Sequence, residues 1–104
     1  MTEVRLTKSV ARQRIRDIAA NSGNVIIGAH AKERMVERGI FRPDIDRILR
    51  TGDVSDEPEP AELGEWKCKV TRAIRGGRTA GVVTLILRGG KRLFVKTVEW
   101  EDGK

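Results

Sequence analysis

Residues 66–100, WKCKVTRAIRGGRTAGVVTLILRGGKRLFVKTVEW, contain three β-prone runs separated by two glycine pairs. The runs are 66–74, 81–87 and 93–100. β-Branched and aromatic residues are frequent in them, which is typical of strands. Gly76-Gly77 and Gly89-Gly90 allow the positive backbone φ that tight turns require. The segment therefore predicts an antiparallel meander over 66–100, with the middle run at its centre because it is apolar on both faces.

Side chains alternate between the two faces of a strand, so the runs also predict which residues lie together. The first run places Lys67, Lys69 and Thr71 on one face and Trp66, Cys68, Val70 and Arg72 on the other. The third run sets Phe94, Lys96, Val98 and Trp100 against Leu93, Val95, Thr97 and Glu99. We expect one face of this sheet to pack on helices and the other to stay partly open.

Helical patterns precede the sheet. Apolar residues recur at steps of three and four between positions 6 and 20, which predicts a helix over 6–20. The segment 30–38 contains no helix breaker and ends before Gly39, and Pro43 starts a further helix over 43–51. A short strand is expected at 25–27. The fold class is thus α+β, with N-terminal helices packed on a C-terminal antiparallel β-sheet.

The charge of the chain is uneven. The formal net charge is +6, yet residues 53–62 (DVSDEPEPAE) carry five acids and no base. We expect this segment to be an acidic loop, since Pro58 and Pro60 disfavour regular strand pairing. The remaining surface is strongly basic and suits a polyanion such as RNA or another nucleic acid. The alternative is that surplus lysine and arginine only solvate the surface.

Length and composition limit the classes of protein to which this chain can belong. A chain of 104 residues supports one core, so we expect a single domain over 1–104. No signal peptide or membrane-spanning stretch is evident, and we expect a cytoplasmic location without membrane association. The single cysteine, Cys68, and the single histidine, His30, cannot build a zinc site. We expect no metal and no cofactor, because Asp44 and Asp46 are typical of a helix start.

His30, Arg34 and Arg38 are spaced by four residues and therefore line one stripe of a helix. Two arginines at this spacing can hold a phosphate through charge-assisted hydrogen bonds. The alternative is a solvated face, because Glu33 and Glu37 border the stripe. His30 is the side chain whose ordinary pKa best suits proton transfer at neutral pH.

Basic residues of the predicted sheet could complete such a site. Metal-free RNA cleavage needs a base for the 2′-hydroxyl, an acid for the leaving oxygen and positive charge near the phosphate. The candidate sheet residues are Lys67, Lys69, Arg72 and Lys96. These side chains could equally well face water.

The segment His30-Ala31-x-x-Arg34-Met35-x-x-Arg38-Gly39-Ile40 resembles the hallmark of a bacterial family, domain of unknown function 4258. The resemblance continues to about residue 100, including the threonine of the last strand, Thr97. Families of this kind are similar to the RelE/ParE and MqsR toxins, which are grouped with the barnase, EndoU and colicin ribonucleases. The resemblance implies a RelE-like fold and a metal-independent endoribonuclease, or a relative of one, often paired with an antitoxin protein.

Two departures from the family pattern bear on mechanism. Glu99 follows the threonine–valine pair of the last strand, where the family commonly has an aromatic residue. The chain contains no tyrosine, which excludes a mechanism that uses a phenol. Any catalysis must therefore use His30 and basic side chains.

Three functional hypotheses follow. In the leading one, the protein is a toxin-like endoribonuclease in which His30 is the general base, Arg34 and Arg38 hold the scissile phosphate, and Lys69 or Lys96 assists. In the second, it is a non-catalytic nucleic-acid-binding module. The binding residues are then Arg34, Arg38, Lys67, Lys69 and Arg72. In the third, it is a protein-interaction domain that docks a partner through the acidic segment or the first helix.

Overall fold

The computed structural model describes residues 5–102, in which helices precede most of the strands. The helices are α1 (Lys8–Ala19), α2 (Ala29–Arg38) and α3 (Arg42–Thr51). Their bounds lie within two residues of the predicted ones. The hydroxyl of Thr7 caps α1 by accepting from the Val10 N–H. Gly39 ends α2 with a φ of 64°, where a side chain would be strained.

The strands form one sheet. They are β1 (Val25–Ile27), β2 (Asp53–Val54), β3 (Glu59–Pro60), β4 (Trp66–Ala73), β5 (Thr79–Ile86) and β6 (Leu93–Trp100). Their order is β1-β6-β5-β4-β2, and β3 also pairs with β4. The antiparallel meander β4-β5-β6 is confirmed, with β5 in the centre. Because β1 pairs in parallel with β6, the sheet is mixed rather than wholly antiparallel. The fold is α+β.

The acidic segment pairs with the sheet, so the prediction of a loop without regular pairing is wrong. Asp53 and Val54 pair with β4 near Thr71, and Glu59 and Pro60 pair with β4 near its start. Each strand has only two residues and lies at the edge of β4. An edge strand accommodates proline because the missing N–H need not interrupt a ladder of hydrogen bonds.

The core lies between the helices and one face of the sheet. Ile15 of α1 and Ile45, Ile48 and Leu49 of α3 are at most 1% exposed. The strands contribute Cys68, Val70, Ala80, Val82, Leu93, Val95 and Val98. Arg72 shares this face with Cys68 and Val70, as predicted, and Lys67 and Lys69 point to the opposite, open face. Among residues 5–102 every helix is too short or too polar to cross a bilayer.

A β-bulge in β6 overturns the predicted alternation of that strand. Val83 pairs with Thr97, whereas the next residue, Thr84, pairs with Val95, so Lys96 is an extra residue. Val98 is therefore buried on the same face as Val95. The predicted grouping of Lys96 with Val98 and Trp100 is wrong because strict alternation fails across a bulge.

Candidate functional site

Helix α2 runs beside β6 on the edge opposite β5, past the point where the pairing of β1 with β6 ends. β1 pairs only with residues 93–95 of β6. At the start of α2, the Gly28 N–H donates to the Val95 carbonyl at 3.0 Å. At its end, the Arg38 guanidinium donates to the Val98 carbonyl at 2.6 Å. The motif helix is thus anchored to β6 at both ends.

His30 and Lys96 both lie within two residues of the hydrogen bond between Gly28 and Val95. His30 lies in the first turn of α2, two residues after Gly28, and is exposed. Lys96 follows Val95, the residue that accepts from Gly28, and is also exposed. Bulges often redirect a side chain beside a functional site. We call His30, Arg34 and Lys96 the α2–β6 corner.

The two arginines of the motif have different contacts. Arg34 forms an ion pair with Glu37 on the solvent side of α2. Such partly exposed pairs stabilise little, so an anion can displace the glutamate. Arg38 instead bonds the backbone of β6, and its own carbonyl accepts from the Trp100 indole at 2.8 Å. Because residues four apart share a helix face, His30 and Arg34 lie toward the same edge of β6 as Arg38.

Lys69 lies over Gly81 on the open face of the sheet. Its ammonium group is 2.8 Å from Glu101 and 3.8 Å from Glu99. The hydrogen bond to Glu101, aided by both carboxylate charges, raises the pKa of Lys69. A Cβ on Gly81 would come within 2.9 Å of the Lys69 side chain, so the glycine leaves room for it. Lys69 is thus charged but already neutralised.

Lys67 lines an open cleft of about 670 Å³ together with Lys96 and Leu85. Lys67 pairs with Glu59 at 3.2 Å, and further acidic residues border the cleft. Among residues 5–102 Lys96 has no carboxylate within ion-pair distance. The cleft therefore brings together two of the predicted lysines, of which Lys96 is the more available to an anion.

Arg72 lies on the helix-facing side of the sheet, away from Lys67 and Lys69. Its guanidinium donates to the Thr51 carbonyl at the end of α3 at 3.4 Å. Arg16 of α1 donates to the same oxygen at 3.4 Å. Cations are favourable at a helix C-terminus because they meet unpaired carbonyls and the negative end of the dipole. Arg72 thus stabilises the packing of α3 on the sheet.

The acidic segment neutralises one side of the molecule. Asp53 pairs with Arg12 at 3.3 Å, and Glu57 lies 4.0 Å from Lys8. With the Lys67–Glu59 pair, these contacts engage a basic row of α1 and part of the open face in internal ion pairs. Many basic residues have no carboxylate within ion-pair distance among residues 5–102. They include Arg14, Lys32, Arg88, Lys91, Arg92 and Lys96.

Sequence patterns missed the acids that neutralise Lys69. Glu99 and Glu101 lie close along the chain, and the hairpin β5-β6 places them across β5 from Lys69 of β4. The spacing of Glu99 and Glu101 indicates that they share one face of the strand. The bulge decides that this is the open face.

The other side chains that could act as nucleophiles or metal ligands have structural roles or are buried. Cys68 is 2% exposed, and burial raises the pKa of its thiol to about 11, so it is a poor nucleophile at neutral pH. Asp44 caps α3 by accepting from the Phe41 N–H at 2.8 Å. Within residues 5–102 no group of three His, Cys, Asp or Glu side chains is placed to hold a metal ion.

Comparison with known proteins gives one match. The model of the family described as Domain of unknown function (DUF4258) matches residues 27–100. This range contains α2, its anchoring contacts with β6 and the whole β4-β5-β6 meander. No curated protein and no solved structure matches the chain. The family model covers most of the sequence, and the chain belongs to the DUF4258 family.

Proposed function

We propose that this protein is a toxin-like, metal-independent endoribonuclease related to the RelE-like toxins, with its active site at the α2–β6 corner. One observation carries the proposal. Lys96, the extra residue of the bulge, has no carboxylate within ion-pair distance among residues 5–102, and it follows Val95, whose carbonyl accepts from Gly28, two residues before the exposed His30. A proton-transfer group and an available cation are thus held on two elements joined by the Gly28–Val95 hydrogen bond.

The chemistry needs no other component. His30 takes the proton of a ribose 2′-hydroxyl, and the 2′-oxygen attacks the adjacent phosphorus. The bond between phosphorus and the 5′-oxygen breaks, leaving a 2′,3′-cyclic phosphate and a 5′-hydroxyl. Lys96 stabilises the negative charge on the phosphate oxygens and supplies the proton that the leaving 5′-oxygen requires.

The arginines have separate roles in this proposal. Arg34 binds the scissile phosphate after releasing Glu37, a contact that solvent already weakens. Arg38 positions α2 against β6 rather than contacting the substrate. Lys69 lies with Glu99 and Glu101 and takes no part in the reaction.

The test is induced expression of the wild type and of His30→Ala in a bacterial host, followed by growth and by the integrity of total RNA. Purified protein is then incubated with single-stranded RNA in the presence of EDTA. Growth arrest, RNA fragments and cleavage under EDTA for the wild type alone support the proposal. Lys32→Ala, on the same helix but off the His30 stripe, is the control and should cleave like the wild type.

A second candidate is a non-catalytic nucleic-acid-binding module that uses the same corner for phosphate contacts. Arg38 and Lys69 make contacts within the protein, so few candidate catalytic groups remain free. This observation favours the binding module. It predicts healthy growth and intact RNA for both proteins, together with RNA binding that His30→Ala barely changes. That outcome, with soluble folded protein, would contradict the ribonuclease.

A toxin of this kind would be held inactive by an antitoxin protein. Under this proposal, co-expression of a small protein encoded beside this gene relieves growth arrest. An acidic antitoxin would suit the unpaired basic residues of the described surface, residues 5–102.

A further inference from the structure

A second cleft lies at the end of the sheet beside the β5–β6 turn. It has a volume of about 410 Å³. Its lining residues are Arg14, Gly64, Trp66, Ile86, Leu87, Gly89 and Gly90. We call it the Trp66 cleft. Trp66 shares the helix-facing side of the sheet with Cys68, so this cleft is separate from the open face that carries Lys67 and Lys96.

The floor of the Trp66 cleft suits a planar apolar group. The indole of Trp66 is half-buried, and Ile86 and Leu87 add aliphatic surface beside it. The chain has two tryptophans. Trp100 is 9% exposed, donates to Arg38 and lies under the guanidinium of Arg78, so its ring is occupied by contacts within the protein. Trp66, in contrast, lines this cleft.

The rim of the cleft is cationic. Arg14 of α1 lines it directly, and the adjoining turn carries Arg88, Lys91 and Arg92. None of these four has a carboxylate within ion-pair distance among residues 5–102. Arg14 of α1 and the β5–β6 turn are distant in sequence but line the same cleft.

The nearby acids do not cancel this charge. Glu62 and Glu65 line the other cleft, with Lys67 and Lys96. Asp17 lies near Lys91, where both border a small neighbouring depression, and it accepts a hydrogen bond from Gln13. An anion at the rim of the Trp66 cleft therefore meets an excess of positive charge.

The turn itself leaves room for a ligand. Gly89 and Gly90 have φ values of 94° and 68°, and no atom lies within 4 Å of the Cβ position of either. Glycine is required by these backbone angles, not by crowding. A sugar–phosphate backbone can thus approach the turn closely.

We propose that the Trp66 cleft binds one nucleotide of a single-stranded nucleic acid. The base stacks on the Trp66 indole, and Arg14 and the turn cations hold the adjoining phosphates. Stacking on an aromatic side chain together with a basic rim is how proteins bind single strands without reading sequence. This inference rests on the proposed function for its ligand class, and it assigns a strand-binding site separate from the catalytic corner.

The test uses tryptophan fluorescence with a ten-nucleotide oligouridine at low salt, and every protein carries His30→Ala so that the proposed ribonuclease does not cleave the ligand. The parent protein and its Trp100→Phe variant should both show quenching on titration, whereas the Trp66→Phe variant should show none. In parallel, anisotropy of a labelled oligouridine measures affinity without using protein fluorescence. Trp66→Leu should bind about tenfold more weakly, since removal of one stacking platform has an effect of that order.

Charge variants supply a second, independent measurement. The triple variant Arg88→Gln, Lys91→Gln, Arg92→Gln changes exposed turn residues and should fold normally. It should weaken binding and reduce the steepness of the salt dependence, by about 0.7 in the logarithmic slope for each phosphate that the protein no longer neutralises. Lys32→Gln removes one positive charge elsewhere and should change neither quantity.

The outcomes separate this inference from the ribonuclease. Quenching that persists in Trp66→Phe, or unchanged affinity in Trp66→Leu and in the triple variant, would overturn the Trp66 cleft. Equal quenching by double-stranded RNA would also overturn it. His30→Ala should lose cleavage and keep quenching. Quenching without any cleavage by the wild type would leave the cleft in place and refute the catalytic corner.

Discussion

The indole N–H of Trp100 donates a hydrogen bond of 2.8 Å to the carbonyl of Arg38, which joins the last strand to the last residue of the motif helix. The Arg38 guanidinium returns a bond to Val98 on the same strand. The Gly28–Val95 bond holds the other end of α2. The placement of α2, and with it His30, along β6 therefore depends on contacts at both ends of the helix.

Replacement of Trp100 by phenylalanine should lower the free energy of unfolding by about 1–2 kcal/mol, because the Arg38 carbonyl loses its partner while most of the ring remains. Urea denaturation, monitored by far-ultraviolet circular dichroism, measures this change in the free energy of unfolding. Val36→Ala, at a position 85% exposed, should stay within about 0.5 kcal/mol of the wild type. An equal effect of the two substitutions would contradict a role for the Trp100 bond.

Substitution of the two motif arginines should lower the stability of the protein to different extents. Arg38→Ala removes a bond from a guanidinium to a backbone carbonyl and should destabilise the protein by about 1–3 kcal/mol. Arg34→Ala removes a solvent-exposed ion pair and should cost less than about 1 kcal/mol. Under the proposed function, Arg34→Ala should nevertheless weaken RNA binding more. Urea melts and anisotropy measurements on the same preparations check both parts.

Lys96→Ala should reduce the cleavage rate by about 10²–10³-fold, since it removes the charge proposed to stabilise the transition state. Lys69→Ala should change the rate much less, because Glu101 and Glu99 already neutralise that ammonium group. Initial rates on a fluorogenic single-stranded RNA measure both. If Lys69→Ala were the more damaging substitution, the catalytic cation would be Lys69 rather than Lys96.

Gly52→Ala should destabilise the protein by about 2–3 kcal/mol through overpacking. A Cβ at this position would lie 2.6 Å from the Ile48 carbonyl and 2.7 Å from the Thr71 carbonyl, and neither backbone atom can move cheaply. The φ of Gly52 is −79°, so crowding rather than backbone strain is the cause. Gly23→Ala meets only the flexible side chain of Asn21 and is the control.

Stability should fall at alkaline pH because of Cys68. Burial raises the pKa of the folded thiol to about 11, whereas the ordinary pKa of an unburied thiol is 9.0. Between these values the unfolded state loses the proton and the folded state keeps it, so unfolding becomes more favourable as pH rises through this window. Below pH 9 the thiol does not lower the free energy of unfolding. Above pH 11 its titration has lowered that free energy by about 2–3 kcal/mol.

The measurement compares the wild type with Cys68→Ala in urea at a series of pH values from about 8 to 11, which begins below the pKa of the unfolded thiol and ends near that of the folded one. The difference between the two curves isolates the thiol from the lysines that titrate in the same range. Parallel curves would contradict the prediction.

Local patterns along the chain determined the helices, the meander β4-β5-β6 and the faces of β4. Each depends on residues that are neighbours in sequence, such as the glycine pairs that lie between the strands of the hairpins. The row His30, Arg34 and Arg38 on one face of α2 follows in the same way from a spacing of four residues. The motif also predicted the family, which the match over residues 27–100 confirms.

The tertiary structure decided what the charged residues of this scaffold are free to do. The parallel pairing of β1 with β6, the bulge at Lys96 and the two short strands in the acidic segment depend on residues far apart in sequence. Sequence alone could place Lys69 and Lys96 on strands, but only the folded chain neutralises Lys69 and, within residues 5–102, leaves Lys96 without a carboxylate. The physical reason is that helix and strand periodicity is local, whereas an ion pair forms only after distant segments have been brought together.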